Sequence, residues 1–485
     1  MKQQAMLLCD FYKISHKDLY PTGTEVVYST FTPRDSRNKA ITSVVSFGQQ
    51  AFVKEFLIGF FNDNFFNQSK ASIVSDYKRL ITATLGVANP ETKHIEDLHD
   101  LGYLPLEIKS IAEGTSIPIR TPMLTIQNTD NRFFWLTNYV ETLLSCELWQ
   151  AVTSATTARE YYTLLKKYAD ETSSDPTFVK FQGHDFSMRG MSSLSSAIKS
   201  GMGHLLYFNG TDTIPAILGL EQYYNGNIEK ELLGTSIPAT EHSIQCAYAN
   251  DAEYIEDIIT NKNPTGFVSI VSDGYDFWNV VGSVLPALKD KIMARDGRLV
   301  IRPDSGDPVK IICGDAEDTN EFARKGLIES LYDIFGGSTN TKGFKELDSH
   351  IGAIYGDSIT LERAKLISEG LKSKGFATTN VVYGIGSYTY QYNTRDTFGF
   401  ALKSTLAVIN GDEKQIFKDP KTDNGIKKSQ KGKVVVWKDD TGTIQWKDGL
   451  FLNDSIPNDL LIPIFKDGKL LNETSISEIR ARVNA

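Results

Sequence analysis

Leu299-Val300-Ile301-Arg302-Pro303-Asp304-Ser305-Gly306 reads as a short apolar strand that runs into an arginine, a proline-held turn and an aspartate. Ile351 to Tyr355 repeats the design, leading to Gly356-Asp357 and then to a helical pattern capped by Ser358 or Thr360 and stopped at Gly375. Working outward, Phe267 to Ser272 runs into Asp273-Gly274-Tyr275-Asp276, and Val381 to Tyr383 into Gly384-Ile385-Gly386-Ser387. The apolar run Leu205 to Phe208 reads as another such strand, followed by Gly210-Thr211-Asp212-Thr213 and by helical spacing from Ile214 to Tyr224. From about Phe178 to Tyr383 the chain therefore alternates an apolar strand, a Gly/Asp/Ser turn and often a helix, which is the grammar of a β/α barrel. The expected fold is α/β: an irregular β/α barrel over residues 176–387 carrying the active site, plus a discontinuous α+β domain built from both termini, residues 1–175 and 388–485. Those flanks supply a long helical pattern around Tyr139 to Tyr168 and short strands such as Val434 to Trp437.

The 485 residues are 41% hydrophobic, enough to bury a large core. A formal charge of −9 argues against a surface built to attract nucleic acid, so any anion site has to be local. Cys9, Cys146, Cys246 and Cys313 are scattered without a CxxC pair, which fits neither a zinc site nor a disulfide-stapled domain and points to a reducing compartment. The apolar run Ala5 to Cys9 is too short for the core of a signal peptide, and no stretch approaches the length of a membrane span. A cytoplasmic protein with neither membrane nor nucleic acid as partner is expected.

Barrels of this kind place their active sites at the C-terminal ends of the strands. Four such ends supply the carboxylates Asp212, Asp273, Asp304 and Asp357, and Arg189 and Arg302 are candidates to face the same mouth. Taken singly, each aspartate reads equally well as a turn or cap residue bonding its own backbone. Their recurrence at successive strand ends favours a functional role. The Tyr383-Gly384-Ile385-Gly386-Ser387 segment allows backbone N–H groups to approach a phosphate, although it lacks the GxGxxG and GxxxxGK[ST] patterns. Arg395, Lys403, Lys418 and Lys427 follow it, and the stretch from Lys421 to Lys433 reads by pattern alone as a solvated loop. His242, in Pro238-Ala239-Thr240-Glu241-His242-Ser243, is either structural or, beside a barrel mouth, a phosphoryl acceptor or proton shuttle.

Several of these motifs together resemble the nicotinamide phosphoribosyltransferase family: Gly210-Thr211-Asp212-Thr213, Glu241-His242-Ser243, Ser272-Asp273-Gly274-Tyr275-Asp276, Ile301-Arg302-Pro303-Asp304-Ser305-Gly306 and Phe417-Lys418-Asp419-Pro420, in matching order and spacing. The likeness runs from Asp10-Phe11-Tyr12-Lys13 to Glu478-Ile479-Arg480. It implies a type II phosphoribosyltransferase, a homodimer with two active sites at the subunit interface, joining nicotinamide to the ribose phosphate of 5-phosphoribosyl-1-diphosphate with release of diphosphate. By that resemblance Phe186 and the partner subunit's Tyr12 sandwich the pyridine ring, with Ser269 among the substrate contacts. Asp212 accepts from the carboxamide NH2 and Arg302 donates to its carbonyl. A carboxylate in place of the NH2 would set two like charges about 4 Å apart, costing roughly 4 kcal/mol at an effective dielectric near 20, so nicotinate is disfavoured.

The same resemblance makes Asp304, Gly356 and Asp357 the ribose contacts. Gly386 and Ser387, with Arg395 and Lys403 of the partner, form the 5′-phosphate site, and Arg34, Lys418 and Lys427, also of the partner, the diphosphate site. It further implies Mg²⁺ on the diphosphate and ATP hydrolysis through a phosphorylated His242, with Asp273 and Glu241 orienting the imidazole and Arg189 near the diphosphate or the phosphohistidine. The sequence departs from the common pattern at Ser187-Met188, at Ser387 and at Ala401, where a phosphate-contacting serine is usual, so a weaker phosphate grip is expected. The competing readings are a nicotinate phosphoribosyltransferase, which Asp212 disfavours, and a non-catalytic sugar-phosphate-binding barrel.

Overall fold

The computed structural model describes residues 4–356, 358–418 and 429–484, so the expected site residues Asp357 and Lys427 lie outside the described residues. Its contacts divide the chain into two compact units, one comprising Met1–Thr156, Gly219–Gly226 and Asn393–Ala485, the other Thr157–Leu218 and Asn227–Tyr392. The breaks thus fall at 156/157 and 392/393, where the sequence analysis sets 175/176 and 387/388. The first break lies inside a single helix, Glu141–Thr172, whose uninterrupted helical pattern gives no local sign of a boundary.

The second unit is built on six parallel strands: β1 (Gly183–Asp185), β2 (Gly210–Thr211), β3 (Val268–Val271), β4 (Leu299–Arg302), β5 (Ile351–Tyr355) and β6 (Val381–Ile385). They lie in the order β2-β1-β6-β5-β4-β3. Every residue of β3 and β5 is buried, as parallel strands covered on both faces require. The two edges of this sheet are joined by the extended segment 235–240. Thr235 bridges to Gly210 of β2, and Ala239 bridges to Ser269 of β3, both in parallel sense. Thr211 N–H donates to the Thr235 carbonyl at 2.9 Å and Thr240 N–H to the Ser269 carbonyl at 3.0 Å. The ring is therefore closed by a segment too irregular to read as a strand.

The expected strand at Leu205 to Phe208 is not one. These buried residues form the turn that ends the helix Leu194–His204, with the Phe208 N–H bonded to the His204 carbonyl, and the strand is reduced to Gly210–Thr211. A four-residue apolar run carries no periodicity to tell the end of a buried helix from a buried strand. The helix after β2 spans Ile214–Tyr224 as read. The helix after β5 spans Leu361–Ser373, and Thr360 rather than Ser358 is its cap, accepting from the Arg363 N–H; Gly375 follows at φ +77°.

In the first unit a seven-stranded sheet pairs both ends of the chain. Thr24–Thr32 lies antiparallel to Ala401–Ile409, and Leu106–Ser110 to Ile462–Lys466. The apolar face of that sheet packs on one core that includes Phe31, Leu106, Ile126, Leu402 and Phe465, all essentially inaccessible to solvent. Among the described residues no helix is long and apolar enough to cross a membrane.

Candidate active site

Within the ring of strands lies a cavity of about 270 Å³. Small-molecule sites begin at about 300 Å³, so it suits a compact ring rather than a large ligand. Its wall takes Phe186, Asp212 and Arg302 from the C-terminal ends of the strands, Ser269, Val300 and Ile354 from their middles, and Phe267, Arg298 and Thr379 from near their starts. The cavity consequently follows the barrel axis: an apolar sleeve with a few polar groups.

Phe186 owes its position to the end of β1, where its N–H extends the pairing with β6 by donating to the Ile385 carbonyl at 3.0 Å. Its ring lies 4.6 Å from the His184 imidazole, tilted by 47°. Gly384 makes room for it, since a Cβ there would sit 2.7 Å from the phenyl Cδ2. Asp212, one residue past β2, is half exposed. Both His184 Nε2, at 2.8 Å, and Ser236 Oγ, at 2.7 Å, bond its Oδ1. Burial works against the charged carboxylate, but the bonds from His184 and Ser236, with the fields of His184 and Arg302, outweigh it and hold the group below the usual carboxylate range. Arg302, at the end of β4, donates from Nη2 to the Thr240 carbonyl at 2.7 Å, and its Nε lies 3.6 Å from Asp304 Oδ1. The buried Ser269 hydroxyl lines the cavity without a hydrogen-bond partner among the described residues.

At the β3 end, Asp273 Oδ1 lies 3.1 Å from His242 Nε2 while Oδ2 accepts the Asp304 N–H at 2.9 Å. The Asp273 carboxyl is almost wholly buried, which opposes its charge, yet bonds from Ser305, the Asp304 backbone and His242 keep it below its ordinary range. Glu241, expected to help orient the imidazole, accepts instead from its own neighbour Ser243. His242 itself remains about half exposed.

Gly356 packs so closely on Asp304 that a Cβ would lie 2.1 Å from Oδ1. Gly386 begins the short helical turn Ser387–Tyr390 in open space, with nothing within 4 Å of its Cβ position. Arg189 is exposed on the turn Met188–Gly190, and Gly190 abuts Ser387. These residues belong to the barrel unit.

Tyr12, Arg34, Arg395, Lys403 and Lys418 belong to the other unit. Tyr12 is exposed there, with Lys13 Nζ 4.8 Å from its ring centre. Lys403 has its ammonium pushed down by partial burial and by the neighbouring charges of Arg34, Lys13 and Arg395, opposed by Glu141. Glu141 pairs with the buried Lys13 and lies 4.0 Å from the Lys403 ammonium, while Arg395 pairs with Asp396. Ala401 is buried opposite Thr32 and offers no hydroxyl. Among the described residues no three His, Cys, Asp or Glu side chains gather to cage a metal.

Two neighbours of Asp212 escaped the sequence reading. His184 stands two residues before Phe186, so strand alternation puts both on one face, a signal that was there to use. Ser236 sits in the irregular closing segment, for which no pattern exists.

A family model described as the nicotinate phosphoribosyltransferase (NAPRTase) family matches residues 181–469, and one described as the nicotinamide phosphoribosyltransferase N-terminal domain matches residues 4–108. The chain is 47% identical to a protein named nicotinamide phosphoribosyltransferase from Acinetobacter baylyi, over 98% of this chain and 96% of that one. It is 37% identical to one of the same name from Mycoplasma genitalium, over 88% and 94%. The fold is similar to that of a nicotinate-nucleotide pyrophosphorylase from Pyrococcus furiosus, with TM-score 0.60 at 15% identity over 99% of this chain and 94% of the other. It is likewise similar to human nicotinic acid phosphoribosyltransferase, with TM-score 0.56 at 12% identity over 99% and 93%.

Proposed function

Because the chain belongs to the nicotinate phosphoribosyltransferase family, we propose that it moves the phosphoribosyl group of 5-phosphoribosyl-1-diphosphate onto nicotinamide, giving nicotinamide mononucleotide and diphosphate. The observation that carries the choice of base is the ionised Asp212 facing the same cavity as Arg302. An acceptor and a donor set side by side complement a carboxamide, whereas a carboxylate would meet Asp212 as a like charge. The unpartnered Ser269 hydroxyl is a further polar group available to the bound amide.

In this reading Phe186 stacks on one face of the ring, the partner subunit's Tyr12 on the other, and Asp212 with Arg302 fixes its rotation. The ring nitrogen is then held in line with C1 of the ribose. As the C1–O bond to diphosphate breaks and the N–C1 bond forms, positive charge develops on the sugar, and holding both reactants in this geometry supplies most of the acceleration. Gly356 and Asp304 meet the ribose. Gly386 and Ser387, with Arg395 and Lys403 of the partner subunit, serve the 5′-phosphate, and Arg34 and Lys418 of the partner subunit the diphosphate. A homodimer sharing its sites supplies the second set. Mg²⁺, when bound to the diphosphate, neutralises charge on the leaving group.

ATP is the proposed co-substrate. With His242 Nε2 directed at Asp273, Nδ1 keeps its lone pair and accepts the γ-phosphoryl group, leaving ADP, while Asp273 stabilises the imidazolium character that results. The buried, ionised Asp273 supports that role.

The test is mononucleotide formation by the purified protein with 5-phosphoribosyl-1-diphosphate and Mg²⁺, offering nicotinamide or nicotinate, with and without ATP. Product from nicotinamide, increased by ATP, is expected. Product chiefly from nicotinate would overturn the assignment of Asp212, and product from neither would return the chain to a binding role.

A further inference from the structure

Asp212 is held by one oxygen. His184 Nε2 at 2.8 Å and Ser236 Oγ at 2.7 Å converge on Oδ1. The two donors come from different parts of the ring: His184 from β1 and Ser236 from the segment that closes the barrel between β2 and β3. Neither is free to wander. His184 is buried, with its ring against Phe186 and its Nδ1 against the Gly210 backbone, where a Cβ would come within 2.7 Å. Ser236 follows Thr235, whose N–H and carbonyl are both bonded, to Asn209 and Thr211.

Two donors on one carboxylate oxygen have two chemical consequences. They fix the plane of the carboxylate, so that the other oxygen has a set direction. They also oppose protonation, because a proton on either oxygen weakens the charge that both donors bind. An aspartate lacking them could rotate, or take up a proton and then donate to a carboxylate ligand. That is the state in which an amide-selective site would admit an acid.

We propose that His184 and Ser236 are specificity-determining positioning residues, which clamp Asp212 Oδ1 and so reserve Oδ2 as an ionised acceptor for the carboxamide NH2 of nicotinamide. This inference rests on Asp212 being the group that reads the amide, and the experiment separates the two ideas. The discrimination lies not in Asp212 alone but in a three-residue unit spanning β1, the residue after β2 and the closing segment. Of the clamp, Ser236 is exposed and makes no other side-chain hydrogen bond among the described residues, so its loss leaves the barrel intact.

The measurement is kcat and KM for nicotinamide and for nicotinate in Ser236→Ala, His184→Leu, His184→Gln and Asp212→Asn, with thermal denaturation to confirm that each variant is folded. Loss of one hydrogen bond to a charged group corresponds to a change of roughly ten-fold or more. Ser236→Ala and His184→Leu should each lower the nicotinamide-to-nicotinate ratio of kcat/KM by about ten-fold, mostly through a higher KM for the amide. His184→Gln, whose amide nitrogen reaches as far as Nε2, should recover most of the ratio. A purely structural role would lower both substrates together, leave the ratio unchanged and show no rescue by glutamine, and that result overturns the clamp. If Asp212→Asn alone shifts the ratio, the clamp fails while the reading of Asp212 stands. If Asp212→Asn leaves it unchanged, that reading fails and the clamp with it.

Discussion

Gly384 shows how much a single residue contributes to this site. It lies on β6 directly behind the phenyl ring of Phe186, and a methyl group added there would fall 2.7 Å from Cδ2 and 2.9 Å from the Gly356 Cα. Two of the three contacts are Gly356 backbone atoms, so the ring and the neighbouring strand both have to give way. Gly384→Ala is therefore expected to displace Phe186 by up to about 1 Å, and a misplacement of that size near reacting atoms costs on the order of a hundred-fold. The loss should appear in kcat/KM for nicotinamide, measured in steady state, together with a lowered melting temperature from the backbone clash; an unchanged kcat/KM would show that Phe186 does not hold the ring. The sequence offered Gly384 only as a residue of a phosphate-type turn. Its packing duty depends on which side chain β1 brings opposite, and that is a matter of sheet register.

Among the elements, the closing segment is the least legible and the most consequential. Residues 235–240 have no alternation and contain Pro238, yet they complete the ring and deliver Ser236 to Asp212 and the Thr240 carbonyl to Arg302. Thr240 pins the segment: its buried hydroxyl accepts the Val271 N–H at 3.0 Å and meets the Tyr254 hydroxyl at 2.5 Å. Thr240→Val keeps the volume but leaves the Val271 N–H without that acceptor, at about 1–3 kcal/mol. A fall in melting temperature of roughly 3–8 °C follows for a unit of this size, read by calorimetry, together with a raised KM for nicotinamide as Arg302 loosens. A melting temperature within a degree of the parent would mean that the segment is held elsewhere. By contrast β4, β5 and the Thr360-capped helix were legible because each carries a dense local signal: β-branched runs, turn residues and a cap.

At the scale of the whole molecule, the first unit carries a buried acid that no local reading singles out. Glu113 accepts the Gln50 N–H at 2.7 Å, and burial, only partly offset by hydrogen bonds from the backbone at Gly48, Gln49 and Gln50, pushes its carboxyl up to about 7. The folded state therefore holds a proton that the unfolded chain releases near its ordinary value of 4.5. Stability from this group is fully present below that value and is lost as the pH rises through about 7. Glu113→Gln should remove that slope between pH 4.5 and 7 and stabilise the protein above pH 7, by an amount on the order of 1–3 kcal/mol. Denaturant unfolding across the range checks it; an unaltered slope would mean that Glu113 is not the titrating group.

The sequence by itself determined the class of fold, because strand, turn and helix signals recur locally and survive any arrangement, and it determined the family, because motifs in fixed order carry through the whole chain. It also supplied most of the chemistry-bearing residues, since Asp212, Asp273, Arg302 and Asp304 all sit at or just past strand ends, where a β/α barrel puts its working groups. Which of them touch was settled only in the folded chain. That Asp212 answers to both His184 and Ser236, and that His242 answers to Asp273, depend on pairing between separate segments of the chain. Local propensity is written in neighbouring residues. Register and ring closure arise from contacts across the barrel, and no stretch of sequence contains both sides of such a contact.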